Sequence, residues 1–303
     1  MKVVVTGGAG FIGSHLVHRL VSHGCEVHVI DNLSTGDAGR LHNEAILHIC
    51  DICGDQAAAC ISLIKPDIIF HLAAQADVQR SIADPSHDAE VNIMGTLRLL
   101  EASRKAGVRK IIFASTSGVY GELNKDQILE DDPVSPISFY ALSKLAGERY
   151  LHLYQQCFGL TYTILRYGNV YGPGQTPKGE GGVIAVFGDR LAQGLSLNVY
   201  GDGNQTRDFI YVQDVVSANL AAMYKGDGET IHVSTGQPTS INRLIQIVAE
   251  QLNQSIETHY KPAKTGDIVH SCLNSSKAKI ALDWKPAYTI EQGLAETVKH
   301  WPI

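Results

Sequence analysis

The stretch "TGGAGFIGSH", residues 6–15, lies almost at the beginning of the chain and contains four glycines. Three of them, Gly7, Gly10 and Gly13, recur at every third position. The stretch follows a strand-like run of valines and opens the segment 11–24, whose apolar residues have helical spacing. Glycine allows a sharp turn and a close approach of backbone to a pyrophosphate, and a helix N-terminus presents free N–H groups to phosphates. The pattern therefore predicts a dinucleotide site, and a glycine turn without a ligand is the alternative.

An acidic residue favours one dinucleotide over the other. Asp31 ends the second strand-like run, 26–31, eighteen residues beyond Gly13. A carboxylate there accepts hydrogen bonds from the adenosine ribose and repels a 2′-phosphate, so the sequence predicts NAD rather than NADP.

Short apolar runs alternate with longer amphipathic stretches along the first half of the chain. This alternation predicts an α/β fold with a doubly wound parallel sheet, because parallel strands need crossover connections that are usually helices. The expected strands are 2–7, 26–31, 45–50, 67–72, 109–115 and 160–166, and the main helices between them are 11–24, 86–106 and 138–158.

The regular alternation of apolar runs and amphipathic stretches ends after about residue 168. The Gly- and Pro-rich segment 172–182 predicts a loop. Shorter mixed elements follow, with helices expected near 183–194, 212–224, 240–252 and 290–300 and strands near 197–200 and 230–234. We therefore expect an NAD-binding domain over 1–168 and a smaller C-terminal α/β lobe over 169–303 that binds substrate, with a segment near 206–234 that returns to the main sheet.

Composition excludes several classes of protein. The 303 residues are 44% hydrophobic and 18% charged, with a net charge of −6 and no basic block, which argues against a nucleic-acid partner. The sequence contains no run of 18 apolar residues, so no membrane span is expected. The expected location is the cytoplasm. Cys50 and Cys53 form the single CxxC, for which packing in a reducing compartment is favoured over a metal or redox role. No metal is expected.

Tyr140 and Lys144 are the candidates for acid–base chemistry. They are four residues apart in "SFYALSKLAGERY" and project from one face of the predicted helix. A free tyrosine has a pKa near 10, and a neighbouring ammonium lowers it, so Tyr140 could exchange a proton with a sugar or alcohol oxygen. Such a pair is common on helix surfaces, but this one follows a strand end, 113–122, where Thr116 and Ser117 offer hydroxyls.

Seven ordered motifs give the chain a family resemblance over nearly its whole length. They are "TGGAGFIGSH", "DNLSTG" (31–36), "HLAAQADV" (71–78), "VNIMGTL" (91–97), the YxxxK at 140–144, "RYGNVYGPG" (166–174) and "GDGNQTRDFIYVQDV" (201–215). The sequence resembles extended short-chain dehydrogenases/reductases of the UDP-glucose 4-epimerase type. The resemblance implies a Rossmann fold, bound NAD, a UDP-sugar substrate and a homodimer formed through the helices 86–106 and 140–158.

The resemblance also implies site residues. The catalytic residues are Tyr140 as acid/base, Lys144 as its partner and Thr116 at the family's Ser/Thr position. The cofactor residues are Gly7, Gly10, Phe11, Ile12, Gly13, Asp31, Asn32, Ser34, Thr35, Gly36, Asp51, Ile52, Leu72, Ala73, Ala74, Asn92, Ser115, Tyr140, Lys144 and Tyr167. The substrate residues are Thr116, Ser117, Asn169, Gly182, Val183, Tyr200, Arg207, Lys264, Asp267 and Ser271.

The implied reaction is redox epimerisation at C4 of a UDP-hexose through a 4-keto sugar, with no net oxidation. The alternatives are a nucleotide-sugar 4,6-dehydratase or decarboxylase and a non-catalytic NAD-binding regulator. Lyases of this kind carry acidic residues just after the catalytic Thr or Ser, whereas Ser117 and Gly118 stand here. Regulators typically lose the Tyr or Lys that this chain keeps.

Two positions bear on the substrate. The family's uridine-binding "RxGD" is "KTGD" at 264–267, so Lys264 lacks the bidentate fork of arginine, whereas Asp267 is kept. Ser271 stands where a bulky residue limits the sugar pocket of some relatives. A small residue there leaves room for an N-acetyl group, which predicts activity on UDP-GlcNAc as well as UDP-glucose, although Ser271 could equally be an ordinary strand residue.

Overall fold

The computed structural model describes residues 1–123, 125–177, 182–263 and 269–303. Their strands are β1 (Lys2–Thr6), β2 (Glu26–Asp31), β3 (Ile46–Ile49), β4 (Ile68–His71), β5 (Lys110–Thr116), β6 (Thr161–Tyr167), β7 (Asn169–Tyr171), β8 (Leu197–Tyr200), β9 (Thr206–Tyr211), β10 (Glu229–Val233), β11 (Pro238–Ser240) and β12 (Thr258–Lys261). Their α-helices are α1 (Phe11–Ser22), α2 (Asp55–Ile64), α3 (Val78–Ala83), α4 (Pro85–Ala89), α5 (Thr96–Ala106), α6 (Phe139–Phe158), α7 (Val183–Ala192), α8 (Val212–Ala222), α9 (Ile241–Leu252), α10 (Ser276–Ala281) and α11 (Ile290–Val298). Short 3-10 turns occupy Ala38–Arg40 and Ser117–Tyr120, and a π-helical turn, Glu90–Gly95, joins α4 to α5.

Seven strands of the described residues form one parallel sheet in the order β10-β6-β5-β4-β1-β2-β3. The chain runs outward from β1 to β3 and then crosses to β4 on the other side of β1. This reversal of strand order opens a crevice at the carboxyl ends of β1 and β4, where ligands bind in such sheets. The predicted doubly wound sheet is confirmed, and the six strands expected between residues 2 and 166 begin and end within one residue of the observed bounds.

Helices cover both faces of this sheet, which is why its strands are nearly continuous apolar runs. Residues of α1 and α8 pack on one face, around buried side chains such as Leu16 and Val215. Residues of α2, α5 and α6 pack on the other face, around Ile61, Leu100 and Leu151.

The smaller lobe has its own sheets and core. Strand β9 pairs with β7 and β11, and β8 pairs with β12. Buried residues of α7, α9 and α11 pack over these strands. Within the segment 206–234, β10 joins the main sheet beside β6, whereas β9 belongs to the smaller lobe. The sequence did not predict β7, β9, β11 or β12, because these short strands mix polar and apolar residues and lack the apolar runs of the main sheet.

Helix α6 presents polar residues to the protein interior. The hydroxyl of Ser138 caps its N-terminus, and Gly159, at φ +71°, ends it in the left-handed region that favours glycine. Tyr140, Lys144 and Glu148 follow one another at intervals of four residues and therefore lie along one face. Lys144 and Glu148 are both buried.

A buried ion pair joins α6 to the main sheet. The guanidinium of Arg166, on β6, donates through Nε and Nη2 to the two carboxylate oxygens of Glu148, at 2.9 and 2.6 Å. The hydroxyl of Ser115, on β5, donates to the same carboxylate at 2.5 Å. Arg166 Nη1 donates to the Tyr120 hydroxyl at 2.5 Å. Every charged atom of the pair is thus hydrogen-bonded, as burial of charge requires.

We predict that Glu148→Gln lowers the free energy of unfolding by about 3 kcal/mol, because it leaves a buried guanidinium without its anionic partner. Urea unfolding followed by circular dichroism measures the loss. The matched control is Asp283→Asn, which removes the partner of Lys225 in an exposed pair at 3.3 Å and should cost less than about 1 kcal/mol. Equal losses in the two variants would show that the buried pair is not a specific contributor to stability.

Candidate functional site

A cavity of about 580 Å³ opens at the crevice between β1 and β4 and extends to the smaller lobe. Its volume lies within the range of cofactor and substrate sites, about 300–1,000 Å³. The lining comes from the glycine turn, the loop after β2, the ends of β4, β5 and β6, the start of α6, and the region from β7 to α7. The cavity therefore lies where the strand order predicts a ligand.

The glycine turn forms the floor at one end. Gly7 has φ +69°, and a Cβ added to it would lie 2.7 Å from the backbone nitrogen of Ala73. A Cβ on Gly13 would lie 2.1 Å from the carbonyl oxygen of Gly7. Gly10 is the N-cap of α1 and supplies no side-chain hydrogen bond, so the first N–H groups of the helix have no side-chain cap. A backbone cradle at an uncapped helix N-terminus fits a dinucleotide pyrophosphate.

The adenosine side carries the acidic residue. Asp31 is buried and accepts hydrogen bonds from the backbone nitrogens of Ala9, at 2.9 Å, and Leu33, at 2.8 Å. Asn32 donates to the Asp51 carboxylate at 2.7 Å, which joins the loop after β2 to the loop after β3. The predicted residues that line this side are Asp31, Asn32, Ser34, Thr35, Asp51 and Ile52. This arrangement fits the ribose and adenine of NAD.

The wall at the end of β4 consists of Leu72, Ala73, Ala74 and Gln75, all of which line the cavity. Asn92 supports this wall from behind: its side chain accepts from the backbone nitrogen of Gln75 at 2.8 Å and donates to its carbonyl at 2.9 Å. Asn92 is buried and does not line the cavity formed by the described residues. In this structure it acts on the wall through Gln75.

The predicted catalytic residues converge on this cavity. Thr116, Tyr140 and Lys144 all line it, together with Ser115. The Lys144 ammonium lies 4.2 Å from the centre of the Phe113 ring, a cation–π distance, and its side chain is buried. Thr116 accepts a hydrogen bond from the backbone nitrogen of Gly118 at 3.1 Å. A hydroxyl, a phenol and an ammonium in one enclosed site can hold and move a proton at an alcohol oxygen.

The remaining lining belongs to β6, β7 and the start of α7. Tyr167 lines the cavity, and the Nδ2 group of Asn219 donates to its hydroxyl at 2.9 Å. Asn169 lies on β7 and lines the cavity. Gly182 is the N-cap of α7 without a side-chain cap, and both Gly182 and Val183 line the cavity. A second helix N-terminus thus faces the site, which suits a second phosphate group.

Several predicted ligand residues do not line the cavity formed by the described residues. A Cβ on Gly36 would lie 2.9 Å from that of Ala9, so Gly36 packs beneath the loop. The guanidinium of Arg207 donates to the carbonyl of Thr206, the carbonyl to which the backbone nitrogen of Ser271 also donates. The predicted ligand residues that are described but do not line the cavity are Gly36, Asn92, Ser117, Tyr200, Arg207 and Ser271. Lys264 and Asp267 lie outside the described residues. The ligand roles of these eight residues, like those of the residues that line the cavity, stay predictions.

Other lining residues were not predicted from the sequence. Arg40 lines the rim, and its Nη1 donates to the carbonyl of Gly174 at 2.6 Å, which bridges two loops far apart in the chain. Gln75 and Gln175 also line the cavity. The glycine spacing gives no signal for these residues, because their positions depend on loop contacts between distant segments. Within the described ranges, no group of three or more His, Cys, Asp or Glu side chains is arranged to hold a metal ion. No helix in the same ranges is long and apolar enough to cross a bilayer.

Comparison with known proteins finds one family model and several similar structures. The model of the NAD dependent epimerase/dehydratase family matches residues 3–234. The chain is similar to the UDP-glucose 4-epimerase of Thermotoga maritima, solved with UDP-glucose, at 45% identity and a TM-score of 0.96 over 99% of this chain and 98% of that one.

Two further solved structures are similar over almost their whole length. The UDP-glucose 4-epimerase of Thermus thermophilus, in complex with NAD, has 40% identity and a TM-score of 0.94 over 99% of both chains. The UDP-N-acetylglucosamine 4-epimerase of Methanobrevibacter ruminantium, in complex with UDP-N-acetylmuramic acid, has 37% identity and a TM-score of 0.94 over 99% of this chain and 97% of that one.

We predict that Arg40→Ala accelerates NAD dissociation about tenfold, because one charge-assisted hydrogen bond between the rim loops is lost. NAD released during dilution into NAD-free buffer is quantified by chromatography. Arg243→Ala is the matched control, since Arg243 is exposed on α9 and pairs with Glu291 at 3.1 Å outside the cavity. Identical release from both variants would contradict a role of the Arg40–Gly174 bridge in holding the cofactor.

Proposed function

The chain belongs to the NAD dependent epimerase/dehydratase family, with NAD as its cofactor, and from this premise we propose that it inverts C4 of the hexose in a UDP-hexose. The substrates proposed are UDP-glucose and UDP-galactose, with UDP-GlcNAc and UDP-GalNAc as a second pair. The observation that carries the proposal is the convergence of Thr116, Tyr140 and Lys144 on the cavity that contains the glycine turn.

The cavity offers separate places for the two ligands. The N-terminus of α1 and the loop after β2 fit NAD, as the glycine cradle and Asp31 indicate. The N-terminus of α7, at Gly182 and Val183, lies on the side of the smaller lobe and is proposed to receive the diphosphate of the sugar nucleotide. The hexose would then lie between these places, beside Tyr140.

NAD, when bound, supplies a reversible acceptor for the hydride of C4. In the proposed mechanism Tyr140 accepts the proton of the sugar 4-hydroxyl and later returns it to the 4-oxygen of the inverted sugar. The ammonium of Lys144, one helical turn away, stabilises the phenolate form of Tyr140 by its positive charge. Thr116 holds the same sugar oxygen through its hydroxyl. The enclosing lobes keep water away from the 4-keto sugar while it turns over.

The dehydratase and decarboxylase alternatives have less support. The carboxylates among the described lining residues are Asp31, Asp51 and Asp77, all outside the segment that follows Thr116. Glu148 is the carboxylate beside Ser115, but both of its oxygens are bound by Arg166. Elimination chemistry needs an acid or base poised at the sugar in addition to the tyrosine, and the described lining does not provide one next to Thr116.

The homodimer expected from the resemblance remains a proposal. Leu142 and Leu153 on α6 are about half exposed and eleven residues apart, so they lie on one face of the helix. Phe158, at the end of α6, is also exposed. An apolar stripe of this kind suits helix-to-helix packing between two copies.

We predict that Tyr140→Phe lowers kcat by about a hundredfold or more, because proton transfer at the 4-oxygen is lost while the cavity keeps its shape. NAD content, measured by chromatography after denaturation, should be unchanged. Tyr150→Phe on the same helix is the control, because Tyr150 is half-buried against the apolar core and does not line the cavity. Near-normal turnover of Tyr140→Phe would rule out its acid–base role.

The substrate is tested by incubating the purified protein with UDP-glucose and, separately, with UDP-GlcNAc, without added NAD. We expect conversion of UDP-glucose to UDP-galactose, detected by chromatography that separates the 4-epimers. Conversion of UDP-GlcNAc as well would extend the proposal to the N-acetylated pair of substrates. Formation of a 4-keto-6-deoxy sugar in place of an epimer would overturn the proposal in favour of a dehydratase.

A further inference from the structure

We propose that the side-chain carbonyl of Gln175 accepts a hydrogen bond from a hydroxyl group of the sugar nucleotide and so selects substrates that carry this hydroxyl. The inference rests on the proposed function and adds a specificity residue to it. Gln175 lies in the loop after β7 and lines the cavity.

One atom of Gln175 is unsatisfied. Among the side-chain nitrogen and oxygen atoms buried within the described residues, Gln175 Oε1 is the one that has no hydrogen-bond partner. A buried carbonyl without a partner costs free energy, and native proteins leave such groups only rarely. An unsatisfied acceptor in the wall of a ligand cavity indicates that a ligand donor completes it.

The orientation of the amide is fixed by its other end. Gln175 Nε2 donates to the backbone carbonyl of Val170 at 3.0 Å. A flipped amide would set its oxygen against the Val170 oxygen and leave a buried NH2 group in the unsatisfied position. The hydrogen bond to Val170 already anchors the side chain to β7, so Oε1 is not needed to hold the loop.

The surroundings of Gln175 determine what it can bind. A Cβ added to Gly182 would lie 3.4 Å from Gln175 Nε2, so the side chain contacts the N-cap of α7. The free N–H groups of that helix suit phosphate oxygens, which only accept hydrogen bonds at neutral pH. A carbonyl cannot bind such an oxygen. Gln175 Oε1 therefore needs a donor on a neighbouring part of the ligand, and the donors of a UDP-hexose there are hydroxyls of the hexose or of the uridine ribose.

The arrangement predicts that the protein discriminates between UDP-glucose and analogues that lack one hydroxyl. A site that hydrogen-bonds a substrate hydroxyl disfavours analogues without it, because the acceptor is then left unpaired. Binding is compared for UDP-glucose and for analogues that lack one hydroxyl each: 2-deoxy, 3-deoxy and 6-deoxy in the hexose, and 2′-deoxy and 3′-deoxy in the ribose. Dissociation constants are measured by calorimetry on NAD-loaded protein in the Tyr140→Phe background, which does not turn the ligand over.

In protein with Gln175 intact, we expect one analogue to bind about tenfold more weakly than UDP-glucose, and its identity tells whether the hydroxyl belongs to the hexose or the ribose. In Gln175→Met this difference should disappear, because UDP-glucose loses the same hydrogen bond. Gln175→Glu keeps an acceptor but loses the donor to Val170, and should retain a preference for the hydroxyl. Gln193→Met, an exposed glutamine at the end of α7, should leave all dissociation constants unchanged.

The inference is overturned if Gln175→Met weakens UDP-glucose and every deoxy analogue by the same factor, since Gln175 would then only support the loop. It is also overturned if no analogue differs from UDP-glucose in the protein with Gln175 intact. Failure of the proposed function has a different signature, because the protein with Tyr140 would then give no 4-epimer, or the holoenzyme would bind no UDP-hexose at all.

Discussion

The close contact between the glycine turn and the end of β4 is the constraint on which the rest of the structure depends. A Cβ on Gly13 would overlap the Gly7 carbonyl, and a Cβ on Gly7 would overlap the backbone of Ala73. The backbones of α1, β1 and β4 can approach this closely only because glycine has no side chain. The N-terminus of α1 is thereby held at the point where the strand order reverses. Any larger residue would push the helix away from the sheet and displace its N–H groups from the position of the pyrophosphate.

A chain of hydrogen bonds through His71 holds the same wall in place. The hydroxyl of Thr96 donates to the carbonyl of Asn92 at 2.7 Å, so it must accept from His71 Nε2, which lies 3.0 Å away. The Nδ1 atom then accepts from the Thr6 hydroxyl at 2.7 Å, and this hydroxyl accepts from the nitrogen of Ala73 at 3.3 Å. Burial, and next the positive charge of Lys144, lower the pKa of His71 to about 3, so the ring stays neutral and its tautomer is fixed. The histidine adds no cation beside Lys144 and acts as a structural link.

Local signals in the sequence were sufficient to predict the main sheet and many of the residues that line the cavity. The strands of the sheet are buried on both faces, and their apolar runs are clear. The glycine turn, Asp31 and the Tyr140–Lys144 pair are local patterns with fixed spacing. By contrast, Arg40, Gln75 and Gln175 reach the cavity through contacts between loops distant in the chain, which no local pattern encodes. The short strands of the smaller lobe were missed for a similar reason. Strand β9 is held by its pairing with β7 and β11, which are distant in the sequence, and its own residues do not alternate clearly between polar and apolar.

The buried pair of Glu148 and Arg166 provides orientation that apolar packing would not. Well-packed apolar residues in place of a buried ion pair are often as stable or more so, because both charges lose their hydration. Hydrogen bonds, however, are directional, and those of Glu148 reach β6 through Arg166 and β5 through Ser115. The next residues along these strands, Tyr167 and Thr116, line the cavity. A rotation of α6 that moved Tyr140 away from Thr116 would also break the bonds of Glu148 two turns along the helix. The buried pair thus couples α6, β5 and β6, the three elements that supply the residues of the proposed chemistry. The free energy lost in desolvating the two charges is the cost of fixing the geometry of the site.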